Sequence, residues 1–291
     1  EKQATKWGVI NYLRKGNRVR TIRLRGVISE CILIPERDLG GIGKAAEGVD
    51  CMEFLGIFKY EPPAIQIQGP GGRKYKYHQN SNFHIYYKFP NQKNVPNMFD
   101  EEDIVVISRK IHGSNARYGI IKKQKLSILD RIKKLFGKEW VDYEYIYGSH
   151  NVEKGSDSQG FYSTDIWKEV ADKHNIKEKL WTLIKDCYTK DEIGSGLIVY
   201  GEVYGEGVQG EHYTYGLKTK ELVVFDAELN GKYLDTPDFN NLITNGLGLP
   251  MVENLYIGHW NKEMQDSFVG GYINGTKTPN EGIVVKSITG E

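Results

Sequence analysis

The chain has 291 residues, 39% of them hydrophobic and 26% charged. That is enough to build a core in one large domain or two ordinary ones, and it excludes a disordered chain. The net charge of +1 hides an asymmetry: residues 1–100 hold 16 basic against 9 acidic side chains (+7), and residues 101–291 hold 23 against 29 (−6). No apolar stretch reaches the roughly 20 residues of a membrane-spanning helix, so no membrane contact is expected.

Residues 7–35 read as β-structure. In Arg18-Val19-Arg20-Thr21-Ile22-Arg23-Leu24-Arg25, the two-residue alternation of the second half sets Ile22 and Leu24 towards a core and Arg23 and Arg25 towards solvent. A basic β-domain suits a nucleic-acid-binding barrel, with Arg18, Arg20, Arg23 and Arg25 as candidate contacts. A soluble basic face is the plain alternative. Residues 37–58 are Gly-rich loop with a short helix near 49–55. Glu61-Pro62-Pro63 and Gly69-Pro70-Gly71-Gly72 are the clearest linker signal, placing a domain boundary within 65–95.

Residues 104–107 form a short apolar strand leading into Lys110. Leu126, Leu129, Ile132, Leu135 and Phe136 recur at helical spacing between basic residues; the expected role is a surface helix covering part of the core. Thr164 is placed to cap a helix from about 166, and a second helix covers 177–187. Strands follow at 196–204, 221–228 and 281–286. The class is α+β with antiparallel sheets. Cys31, Cys51 and Cys187 lack paired-ligand spacing, which fits reduced thiols in an intracellular, cytoplasm-like compartment. The opening residues show no apolar export signal. Nineteen tyrosines hint at wet, stacking surfaces.

Four short runs stand out in order: Lys110-Ile111-His112-Gly113-Ser114-Asn115-Ala116-Arg117, Tyr200-Gly201-Glu202-Val203-Tyr204-Gly205, Val224-Phe225-Asp226-Ala227-Glu228 and Glu281-Gly282-Ile283-Val284-Val285-Lys286. Each is weak alone, since a Lys before a Gly turn is usually structural. Together they resemble the nucleotidyltransferase motifs of the covalent ligase and capping-enzyme superfamily. Lys110 to Gly113 is similar to the nucleophile motif, which has Asp at the third position in most members and His in some RNA ligases. Gly148-Ser149-His150-Asn151 resembles the next motif. The first domain resembles the N-terminal OB-type domain of the type-5 RNA ligases, in which a run like Gly48 to Pro63 leads out of the barrel.

The resemblance implies an OB-fold-like nucleic-acid-binding domain with linker over 1–82. It implies an adenylyltransferase domain, of the ATP-grasp-like DNA/RNA ligase fold, over 83–291. It further implies an ATP-dependent RNA ligase with Lys110 as nucleophile. Ile111, His112, Gly113, Asn115, Arg117, Ser149, Asn151, Glu202, Phe225, Glu281 and Lys286 would bind AMP or ATP, and Glu202 and Glu281 would hold Mg²⁺ or Mn²⁺. The partner would be RNA or an RNA-containing nicked duplex, and the chain a monomer. The implied chemistry joins 3′-hydroxyl to 5′-phosphate ends through lysyl-AMP and a 5′-adenylylated strand. A protonated lysine is a poor nucleophile, so the amine must lose its proton. Carboxylates suit a hydrated divalent ion, and an aromatic ring suits a purine face.

Two departures stand out. His112 replaces the commoner Asp and supplies no fixed negative charge near a metal. The superfamily's final Lys-x-Lys is expected to be missing, because none of the five residues after Lys286 is basic, and Lys218-Thr219-Lys220 comes before the Phe225 strand. The rival readings are a DNA ligase, a capping guanylyltransferase, and a binding protein with an inactive transferase domain.

Overall fold

The computed structural model describes residues 22–24, 27–29, 51–56, 65–68, 74–77, 79–155, 165–273 and 275–289, the strands before residue 79 by backbone alone. The chain divides into two compact units, Glu1–Pro63 and Ala64–Glu291. In the first, β1 (Ile22–Leu24) and β2 (Val27–Ser29) pair antiparallel, with Arg23 opposite Ile28. A four-residue helix, α1 (Met52–Leu55), follows. The OB-type barrel as a whole, and Arg18, Arg20 and Arg25, lie outside the described residues.

The second unit opens with a hairpin, β3 (Ile65–Gln68) and β4 (Lys74–Tyr77), with Gln68 opposite Lys74. A strap, residues 79–90, which turns at Asn80–Phe83, leads on towards β5 (Ile104–Arg109) and β6 (Ser114–Lys122). After α2 (Ile128–Leu135) come β7 (Tyr143–Gly148), β8 (Glu153–Gly155), α3 (Ile166–Lys173), α4 (Ile176–Cys187) and α5 (Lys190–Ile193). Then follow β9 (Gly196–Gly205), β10 (Lys220–Leu229), β11 (Lys232–Tyr233), α6 (Thr236–Asn241) with a π-helical continuation Leu242–Leu247, β12 (Asn254–His259), α7 (Lys262–Ser267) and β13 (Ile283–Ser287).

Two antiparallel sheets organise this unit: one of six strands in the order β11-β10-β9-β6-β7-β8, and one of three in the order β12-β5-β13. The α+β class with antiparallel sheets flanked by helices is thus what the structure shows. Two-residue alternation splits β6 between two cores. Ala116, Tyr118 and Ile120 pack with Val170, Leu180 and Ile184 from α3 and α4. Ile121, on the other side, packs with Phe83 and Tyr86 of the strap and with Ile146, Ile198 and Tyr200. A sheet covered on both faces needs continuous apolar strands, which is why Leu197 to Tyr200 shows no alternation.

Two sequence expectations need correction. The α2 helix does not cover the core: Ile128, Leu129 and Ile132 are exposed, as are Leu135 (86%) and Phe136 (82%). The helix is set by its own ends, through a Ser127–Asp130 capping box and a Lys123–Asp130 ion pair at 2.9 Å. The α3 helix is capped by Asp165, whose side chain accepts from the Lys168 N–H at 3.1 Å. Thr164 lies outside the described residues. Among the described residues no helix is long and apolar enough to cross a membrane.

Candidate active site

Residues 110–113 run from β5 in the three-stranded sheet to β6 in the six-stranded sheet. So short a connection holds Lys110 where the sheets meet. Its N–H donates to the carbonyl of Gly282 at 3.0 Å, and its ammonium donates to the carboxylate of Glu281. Glu281 and Gly282 immediately precede β13, which pairs with β5 through Ile283 and Arg109. The His112 N–H donates to the Tyr215 hydroxyl at 2.7 Å. The His112 ring lies 4.2 Å from that of Tyr213, and its Nδ1 is 3.4 Å from Glu281 Oε1. Gln209 donates to the Gly113 carbonyl at 2.6 Å. Gly113 is required sterically: a Cβ there would stand 2.2 Å from the Val203 carbonyl oxygen. Ile111 is half-buried within this turn.

Glu202 on β9 stands opposite Asn115 on β6. Its carboxyl is pushed up to about 7, first by burial; Glu281 adds to the rise, while Lys110 and a hydrogen bond from the Gly113 N–H oppose it. Glu202 and Glu281 both interact with Lys110, and two neighbouring carboxylates suit an added divalent cation. Among the described residues no group of three or more His, Cys, Asp or Glu side chains is placed to hold a metal. A pair of carboxylates such as Glu202 and Glu281 suits an ion that keeps several waters, as Mg²⁺ does. The side-chain oxygen of Asn115 is buried with no hydrogen-bond partner, an acceptor suited to a donor on a ligand.

Phe225 sits on a β-bulge, where the pairing with β9 jumps from Val224–Gly201 to Asp226–Tyr200. The bulge re-aims its ring. That ring meets Tyr86 edge-on at 5.0 Å. Lys286 of β13 donates to the Phe225 carbonyl at 3.0 Å and to Asp226 at 2.6 Å. Asp226 also accepts from the Tyr86 hydroxyl at 2.7 Å.

Arg117, only 1% exposed, is arranged differently. It donates to the carbonyls of Ser149 (2.9 Å), Phe83 (2.7 Å) and His84 (2.9 Å), and lies over the Phe83 ring at 4.2 Å. It thereby ties the strap to β6 and to the Ser149 turn. The Ser149 hydroxyl accepts from the Val152 N–H at 3.2 Å, and the Asn151 carbonyl accepts from Gln79 at 3.2 Å. The structure thus brings Lys110, His112, Gly113, Asn115, Glu202 and Glu281 together, with Phe225 and Lys286 joined through Asp226. It sets Arg117, Ser149 and Asn151 in a main-chain clamp. Sequence reasoning missed Tyr86, Gln209, Tyr213, Tyr215 and Asp226. Of these, Asp226 alone lay inside a quoted motif.

Two solved structures of the Naegleria gruberi RNA ligase share the fold. A point mutant with ATP and Mn gives a TM-score of 0.53 at 18% identity, and another with AMP and Mn gives 0.53 at 19%; each covers 99% of this chain and 78% of the other. No curated protein sequence matches the chain. The RNA ligase family model matches residues 103–291, a span that takes in Lys110, Glu202, Phe225, Glu281 and Lys286. The chain belongs to the RNA ligase family.

Proposed function

We propose that this RNA ligase is ATP-dependent and joins a 3′-hydroxyl to a 5′-phosphate through a lysyl-AMP at Lys110. The observation that carries this reading is the meeting of the Lys110 amine with Glu281, beside Glu202, where the two sheets join. The Naegleria gruberi structures that share the fold contain ATP or AMP with Mn.

Lys110 loses its proton and attacks the α-phosphorus of ATP. A nitrogen–phosphorus bond forms and pyrophosphate leaves. The AMP then passes to the 5′-phosphate of one strand, freeing Lys110. The 3′-hydroxyl of the other strand displaces AMP. Glu281 holds and orients the amine before attack. Glu202 and Glu281 would hold Mg²⁺ or Mn²⁺, which supplies charge neutralisation at the phosphate oxygens. Phe225 offers a face to adenine, while Asn115 accepts from the nucleoside. Lys286 contributes positive charge beside Phe225, and Arg117, Ser149 and Asn151 support the pocket through the strap. Residues 1–82 would form the OB-type domain, with Arg18, Arg20, Arg23 and Arg25 on the duplex backbone, and residues 83–291 the adenylyltransferase domain.

The test is incubation of the full chain with [α-³²P]ATP and Mg²⁺ or Mn²⁺. A covalent label in wild type that is absent from Lys110→Ala is expected; no label in wild type would overturn the reading. Sealing should require an RNA 3′-hydroxyl end, and equal rates on all-DNA nicks would overturn that part.

A further inference from the structure

The strap carries a row of large side chains with no role so far. Phe83 and Tyr86 point into the core, whereas Ile85 (46%), Tyr87 (46%) and Phe89 (45%) are half in water. These rings are fixed. Tyr87 meets Tyr86 at 4.7 Å, Tyr233 at 5.0 Å and Phe89 at 6.2 Å. The row is continuous with the candidate nucleotide pocket, since Tyr86 also touches Phe225 at 5.0 Å and lies 5.9 Å from the Lys286 ammonium.

The local charge is positive. Lys88 and Lys232 are exposed, and His150 lies near enough to Lys88 and Arg117 to feel both. Residues 84–90 include no acidic side chain. The carboxylates beneath them are engaged, Asp226 by Lys286 and Tyr86, and Glu228 by His84 and Tyr200. Rigid aromatic faces alternating with a cation suit unpaired nucleotides, because every base has a π-face and every linkage a negative charge.

We propose that Tyr87 and Phe89, with Lys88 between them, form a stacking shelf for unpaired bases of the RNA strand whose end is brought to the Lys110 pocket. The shelf rests on the reading of Lys110 as the adenylylated residue, but its ligand can be tested without catalysis. The ring edges of Tyr233 and Tyr86 hold Tyr87 in place before the strand arrives, which limits the ordering cost of binding. Lys88 meets the backbone between successive stacked bases. Stacking of this kind tolerates any sequence and weakens with salt through the lysine.

The experiment measures binding of a short, fluorescent, 5′-phosphorylated single-stranded RNA to the full chain by anisotropy, without ATP. Tyr87→Ala and Phe89→Ala should each weaken binding about tenfold or more. Phe89→Trp should bind at least as well as wild type, while Phe89→Leu, which stays apolar but lacks a π-face, should bind like Phe89→Ala. Circular dichroism melts identify variants that remain folded. Folded alanine variants that bind RNA like wild type would overturn the shelf. So would Phe89→Leu matching Phe89→Trp, which would mark the row as a face for apolar packing against protein. Absence of the covalent label from wild type would overturn the lysyl-AMP reading and leave this binding comparison intact.

Discussion

Lys286 on β13 and Asp226 on β10 are joined by a 2.6 Å ion pair across the two sheets. The same carboxylate accepts from Tyr86 on the strap, so one side chain ties three segments around Phe225. Removing it takes the acceptor from the Tyr86 hydroxyl and the counter-charge from Lys286, which keeps only the Phe225 carbonyl. Asp226→Ala should lower unfolding free energy by about 3 kcal/mol, the usual cost of breaking a buried pair from one side. Asp226→Asn, which keeps an acceptor for Tyr86, should cost less. Urea titrations followed by tryptophan fluorescence test the order; equal midpoints for both variants and wild type would remove Asp226 from this role.

Gly113→Ala should cripple Lys110 directly. The added carbon would meet the Val203 carbonyl at 2.2 Å and the Glu202 Cγ at 3.0 Å, so the turn must move. A displacement of about 1 Å at a reacting group costs on the order of 100-fold in rate. Single-turnover labelling with [α-³²P]ATP measures it, and a rate within a factor of about 3 of wild type would show that the turn has room to adjust.

The loop between β9 and β10 braces the Lys110–Gly113 turn through Tyr215 and Gln209. Tyr215 adopts a left-handed backbone conformation, φ 57°, which costs free energy in a bulky residue. Tyr215→Phe removes the acceptor of the His112 N–H and keeps the ring. The expected result is a drop of about tenfold in the adenylylation rate constant, corresponding to roughly 1.4 kcal/mol, with the KM for ATP little changed. A change confined to KM would instead place Tyr215 in ground-state ATP binding.

Glu202 gives a pH signature in the metal-free protein. Its carboxyl ionises near 4.5 when unconstrained and near 7 in the fold. Between these values the folded state holds the extra proton, so its contribution to stability is complete below about 4.5 and is lost as pH rises through about 7. Glu202→Gln cannot lose a proton there. Its melting temperature relative to wild type should rise across that window and level off above it. A constant difference would show that Glu202 titrates like an ordinary carboxyl.

The sequence made β9 and β10 of the six-stranded sheet legible, because burial on both faces writes itself as runs such as Leu197 to Tyr200, but it did not reveal β6, β7, β8 or β11. It also made Lys110, Glu202, Phe225, Glu281 and Lys286 legible, because four motifs occur in a fixed order. The braces were not legible. Tyr213, Tyr215 and Gln209 lie in a loop whose partners are set by tertiary folding, and a loop tyrosine has no periodicity to betray it. The α2 helix was misread for a related reason: spacing establishes that a helix has an apolar face but does not say what lies against it. Arg117 was assigned to AMP or ATP binding through its motif, and its surroundings show a side chain engaged by main-chain carbonyls.

The order of strands also governs when this site comes into being. β5 is the first strand of the three-stranded sheet in the chain and its centre in space, flanked by β12 and β13, and Lys110 meets Glu281 across 171 positions. As the chain leaves the ribosome, Lys110 emerges early and stays without its carboxylate until almost the whole unit has followed. Closing so long a loop is entropically costly and comes late in folding. Chains interrupted before residue 281 therefore present Lys110 without its carboxylate partner.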